Sequence, residues 1–144
     1  MDGKLFTQPP TITIIVLSAK TIRITYWVLT ILLALAMAGD GFGGVTKQQA
    51  GIVVLQRLGY PIYFMVIVGT AKLLGVIAIL QNRYHAIKEW AYAGFSFTFF
   101  GAIASRAFAG DAIGEFIPPI VMLVFLFVTY YFWKKLNQLK STEQ

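Results

Sequence analysis

Charged residues are so widely spaced along this chain that apolar stretches dominate it. Residues 24–39, 60–71, 73–80, 90–105 and 116–133 contain none. The 21 residues from 60 to 80 are interrupted by a single charge, Lys72. About 20 helical residues at ~1.5 Å each cover the ~30 Å hydrocarbon core of a bilayer. The pattern predicts four spanning helices, over 21–39, 61–80, 87–105 and from Pro118-Pro119 to Trp133. The uncharged part of the first, 16 residues, amounts to only about 24 Å of helix. Either Arg23 snorkels outward or Asp40 lies partly inside. Gly39-Asp40-Gly41-Phe42-Gly43-Gly44 is expected to break the helix. Residues 48–58 then place Ile52, Leu55 and Leu58 at helical spacing, which fits a short helix lying on the membrane surface. The Thr-Ile-Thr-Ile alternation within 11–19 fits a strand, an interfacial segment or a helical extension of span one.

The fold class read from this pattern is all-α: an integral membrane four-helix bundle with a short interfacial helix between spans one and two. It divides into an N-terminal polar or interfacial segment (1–20), a four-span domain (21–134) and a cytoplasmic tail (135–144). Composition agrees, since 12% of residues are charged against roughly a quarter in soluble domains. No small-x-small cleavage site is evident before Lys20, so the first span is expected to act as an uncleaved signal anchor. Eight basic residues (Lys4, Lys20, Arg23, Arg83, Lys88, Lys134, Lys135, Lys140) fall on one side of the four spans. Lys47, Arg57 and Arg106 fall on the other, with Asp40, Asp111 and Glu115. By the positive-inside rule both termini are cytoplasmic. The net charge of +6 then serves topology. No basic patch interleaved with aromatics suggests nucleic acid, and none is expected as a partner.

The absence of cysteine excludes thiol–disulfide chemistry and iron–sulfur ligation by this chain. The single histidine, His85, cannot supply a bis-histidine haem within one copy, and no His/Cys/Asp cluster offers a metal site. His85 reads as a solvated or interfacial loop residue. Lys72 is different. A lysine near the middle of a span costs about 2.5–3.5 kcal/mol on insertion scales, so a partner or polar cavity is expected. Gly69, Lys72 and Gly75 share about 120° of helical arc, so the lysine should point among helices, beside small residues that admit a close neighbour. On span three Gly94, Thr98, Gly101 and Ser105 also share one face. That stripe reads either as simple helix packing or as the second wall of a polar crevice beside Lys72. Glu89 is one candidate partner for Lys72; a backbone carbonyl, a threonine or a water would also serve. Asp111 and Glu115 read as N-terminal charge complementarity for span four. Tyr26-Trp27 and residues 130–133 read as interfacial aromatic belts, and Phe95, Phe97, Phe99 and Phe100 as bundle and lipid packing.

Several of these stretches also carry a resemblance. Leu58-Gly59-Tyr60-Pro61-Ile62-Tyr63, Ala71-Lys72-Leu73-Leu74-Gly75 and Lys88-Glu89-Trp90-Ala91-Tyr92-Ala93-Gly94-Phe95, with Tyr26-Trp27 and Thr30, resemble the DoxX-like family of small bacterial membrane proteins over about residues 22–133. The resemblance implies a four-helix membrane bundle, in a multi-pass protein of the bacterial cytoplasmic membrane. The wider grouping includes the small subunit of an archaeal thiosulfate–quinone oxidoreductase, a maturation protein for methylamine dehydrogenase, and distant animal chaperones of receptor assembly. Lys72 and Glu89 match recurrent family positions. No catalytic motif of the family maps onto this chain.

The expected function is therefore that of a non-enzymatic accessory or assembly subunit, with no catalytic residue and no cofactor held by the chain alone. It would bind a membrane-protein partner, a second copy of itself, or a lipid-like molecule near Lys72. The alternative is a quinone-contacting subunit of a redox complex, with the lysine hydrogen-bonded to a quinone oxygen. The expected ligand-binding residues are Lys72, Glu89, Thr98, Ser105 and Asp40; the expected helix-packing residues are Gly69, Gly75, Gly94 and Gly101.

Overall fold

A computed structural model describes residues 11–142, with side chains placed from Ala19. The described chain is helical and contains no strand. Its elements are α1 (Thr11–Val45), α2 (Gln49–Arg57), α3 (Ile62–Leu80), α4 (His85–Ala109), a single 3-10 turn (Ile113–Phe116) and α5 (Ile117–Thr142). Among the described residues, three helical stretches are long and apolar enough to cross a membrane: Ala19–Val45, Ile62–Leu80 and Ile113–Thr142. At 25 residues α4 has the length, but its apolar part falls short of the mean hydropathy that the other three reach. Residues 1–10 of the expected N-terminal segment lie outside the described residues; 11–19 form the helical extension among the three alternatives.

The turns follow from local chemistry. Pro61 precedes α3, where a missing N–H is harmless. Gln81 ends α3 and folds the short link to α4: its Oε1 accepts from the Arg83 and Tyr84 amides at 2.8 Å each. Its Nε2 donates to the Tyr84 carbonyl at 2.7 Å. Gly110 ends α4 in the left-handed conformation at φ 69°. Only there can the Asp111 amide return to the Arg106 carbonyl, 3.1 Å away, in the manner of a glycine C-cap.

α1 packs against α3 and α5, and α4 packs against the same two. Each long helix therefore has two principal neighbours. The core between them contains Tyr26, Leu33, Ile79, Phe95, Phe99, Leu126 and Trp133. Tyr26 and Trp133 are thus core residues, 1% and 3% exposed, and not belt residues. Belt assignment assumes that an aromatic near a helix end faces the interface; here adjoining helices cover both rings. Phe97 and Phe100 on α4 do face outward, while Phe95 and Phe99 are buried.

The expected break at residues 39–44 is also absent, because α1 continues through every one of its glycines to Val45. Glycine's helix penalty is measured in water, which competes for an exposed backbone. Tertiary packing overrides such a propensity, and this segment is packed against α3. These glycines have a packing use. A Cβ on Gly69 would stand 2.7 Å from the Gly41 carbonyl oxygen and 2.8 Å from the Val45 nitrogen. One on Gly44 would stand 3.0 Å from the Gly69 Cα and from the Met65 oxygen. Backbone meets backbone, which only three glycines at this crossing permit.

Candidate functional site

One helical turn from that glycine contact, α1 presents Asp40 and α3 presents Lys72. The crossing brings the two side chains together as an ion pair, Lys72 Nζ donating to Asp40 Oδ2. The lysine side chain is 16% exposed and the aspartate 57%. The pair is thus sheltered on the lysine side and open on the carboxylate side. Glu89 is not the partner of Lys72. It pairs with Lys134 of α5 near the other end of the helices.

Two cavities meet at this ion pair. One, of about 440 Å³, runs between α1, α2 and α3, with Gly44, Val54, Leu55, Phe64 and Gly69 in its walls. The second, about 300 Å³, lies between α1, α4 and α5, with Met37, Thr98, Phe99, Pro119 and Met122. Asp40, Lys72 and Arg106 line both. The result is an apolar groove with a charged waist.

Arg106 is held by acids from the loop after α4. Its guanidinium donates to Asp111 at 3.1 Å and to Glu115 at 2.8 Å. Arg57, at the end of α2, meets the other oxygen of Asp111 at 2.9 Å. The Asp111 side chain is 2% exposed, so two arginines enclose it. Glu115 also stands in the first turn of the 3-10 segment that leads into α5, the helix-start position expected of it; the ion pairs with Arg106 and Arg57 come in addition. These pairs tie α2, α4 and the start of α5 together beside the groove. Lys72, Arg106 and Arg57 are balanced by Asp40, Asp111 and Glu115, so the network carries no net charge.

The α4 stripe divides. Thr98 lines the groove, and its hydroxyl donates to the Gly94 carbonyl at 2.9 Å. Ser105 faces elsewhere, sharing a 2.7 Å hydrogen bond with Tyr60. Gly94 and Gly101 meet no neighbour: a Cβ on either would have nothing within 4 Å. The groove wall on α4 is Thr98, Phe99, Ala102 and Arg106, a face rotated by about one residue from the glycines. Gly75, by contrast, sits against the Phe95 ring, 2.6 Å from where a Cβ would be.

Arg106 as a groove residue escaped the sequence reading, which counted it as a topology charge. Its signal was position, four residues after Ala102 and eight after Thr98 on one helical face. Lys88 was missed in the same way; it is buried and bonds to Tyr26. His85 opens α4, exposed, with its ring 6.0 Å from that of Trp133. No group of three or more potential metal ligands occurs among the described residues.

The model of the DoxX-like family matches residues 28–129. No curated protein matches the chain, and no solved structure does.

Proposed function

Since the chain belongs to the DoxX-like family and is a small membrane protein, we propose that its charged groove binds a lipid-like amphiphile for a larger membrane complex. All four long helices cross the bilayer in this reading, with both termini cytoplasmic, and the protein does no covalent chemistry of its own. The meeting of the two apolar cavities at Asp40, Lys72 and Arg106 carries the proposal. A chain or ring lies along the apolar walls, while an oxygen of the head accepts from Lys72 Nζ or the Arg106 guanidinium. Asp40 keeps Lys72 oriented until the ligand arrives. A quinone carbonyl would satisfy the same donors beside Phe64 or Phe99, which supports the quinone-contacting alternative.

Mass spectrometry of the protein purified from its native membrane tests this. We expect one lipid or quinone enriched at least fivefold over the bulk membrane and lost from Lys72→Met. Lys135→Met, whose side chain lies outside the groove, should retain it. A lipid profile equal to bulk in the wild type removes the proposal. Which molecule is enriched separates the lipid reading from the quinone reading. Topology is tested separately. Reporter fusions after Gln144 and between α1 and α2 should lie on opposite sides of the membrane, and the same side for both would overturn the four-span arrangement.

A further inference from the structure

A second polar site lies about 25 Å along α1 from the groove, since Arg23 and Asp40 are 17 positions apart. Its centre is Lys88, a cation 1% exposed. A buried charge is costly unless something cancels it. Among the described residues no carboxylate pairs with Lys88. Its ammonium donates to the Tyr26 hydroxyl and to Asn82 Oδ1, both at 2.9 Å and both neutral. The rings of Tyr26 and Trp133 lie 5.6 and 5.9 Å from it. These contacts spread the charge without neutralising it. The nearest acid in sequence, Glu89, is engaged by Lys134 on another face.

Tyr26, Asn82 and Trp133, which surround Lys88, also line a small cavity of about 50 Å³ that Lys88 itself does not reach. Arg23, His85, Asn137 and Lys140 complete its polar lining, and no acid lines it. Because Asn82 accepts from Lys88 through its oxygen, its two amide N–H groups are left for the cavity. The site thus gathers N–H donors around an excess of positive charge, the reverse of the balanced network at the other end. Its volume is several times the ~10–15 Å³ that admits one water, enough for a compact oxyanion and too little for an acyl chain. Trp27 also lines it, and indole rings favour the headgroup level of a bilayer.

We infer that the cavity between Arg23, Asn82, His85 and Lys140 binds a phosphate-type oxyanion, which supplies the countercharge that Lys88 lacks. The same chemistry is presented by a phospholipid headgroup and by free phosphate, and the test separates them. The full chain in an uncharged detergent is titrated with inorganic phosphate and with dioctanoyl-phosphatidylglycerol, against chloride at equal ionic strength, by isothermal calorimetry. At least one probe should bind saturably. Arg23→Gln with Lys140→Gln should weaken it at least tenfold; both side chains are exposed, so the fold is not at risk. Arg83→Gln with Lys135→Gln removes the same charge away from the cavity and should change affinity less than twofold. Binding of the lipid alone identifies a headgroup site, and binding of phosphate identifies a free-anion site; both support the inference. Neither probe exceeding chloride, or an equal loss in the two double variants, overturns it.

Discussion

Replacing Gly69 with leucine should largely prevent the folded state from forming in detergent, whereas Gly101→Leu should leave it nearly unchanged. The difference lies in what each new side chain meets. At Gly69 the first added carbon already collides with the Gly41 oxygen and the Val45 nitrogen. Both are backbone atoms and cannot rotate away, so α1 and α3 must separate along their whole contact. Overpacking typically costs about 1–3 kcal/mol; against two fixed backbone atoms the upper end or more is expected. At Gly101 nothing lies within 4 Å of the added carbon, and the change should stay within about 0.5 kcal/mol. Thermal unfolding of the two variants in the same detergent provides the comparison. Equal sensitivity would mean that α4 buries its glycine face and that the α1–α3 crossing is looser than described.

The second large effect is expected at the ion pair. Asp40→Lys puts two cations at one crossing and should destabilise the protein by about 2–4 kcal/mol, somewhat below the ~3–5 kcal/mol for stranding a fully buried charge, since the carboxylate side is open. Lys72→Asp alone should do similar harm by opposing two acids. Combining them restores an opposite-charge pair with reversed polarity and should recover at least half of the loss, a coupling of about 1–3 kcal/mol. The double-mutant cycle in unfolding free energy measures it. Additive losses would show that Asp40 and Lys72 act independently, and the groove would lose its charged waist. The reversed pair should also fail to retain the enriched amphiphile, because the donor would then project from α1.

These residues show what spacing along one helix can and cannot reveal. The apolar run over 60–80 and the cost of an isolated lysine were enough to locate α3 and to require a polar neighbour for Lys72. They could not identify the neighbour, because angular position on α3 says nothing about the height at which α1 crosses it. That height depends on Gly41, Gly44 and Gly69 acting together, and the glycines of α1 read as a break under a propensity scale measured in water. The α4 stripe failed for a related reason. Gly94 and Gly101 share a face, but whether that face has a neighbour depends on how α4 seats between α3 and α5. Lys88 and Tyr26 lie 62 residues apart, and each taken singly resembles an ordinary residue at a helix end.

The Asp40–Lys72 pair also has a history during synthesis. Its members are 32 residues apart, so at about 5–20 residues per second the ribosome completes the acid roughly 2–6 s before the base. During that interval α1 carries an uncompensated carboxylate. Asp40 lies five residues from the end of α1, a position from which it can wait at the aqueous boundary. Lys72, near the middle of α3, has no such refuge and arrives second, when its counterion is already in place. In the four-span reading proposed above, the order of the two charges along the chain lets the more deeply placed one meet its counterion as it enters the bilayer.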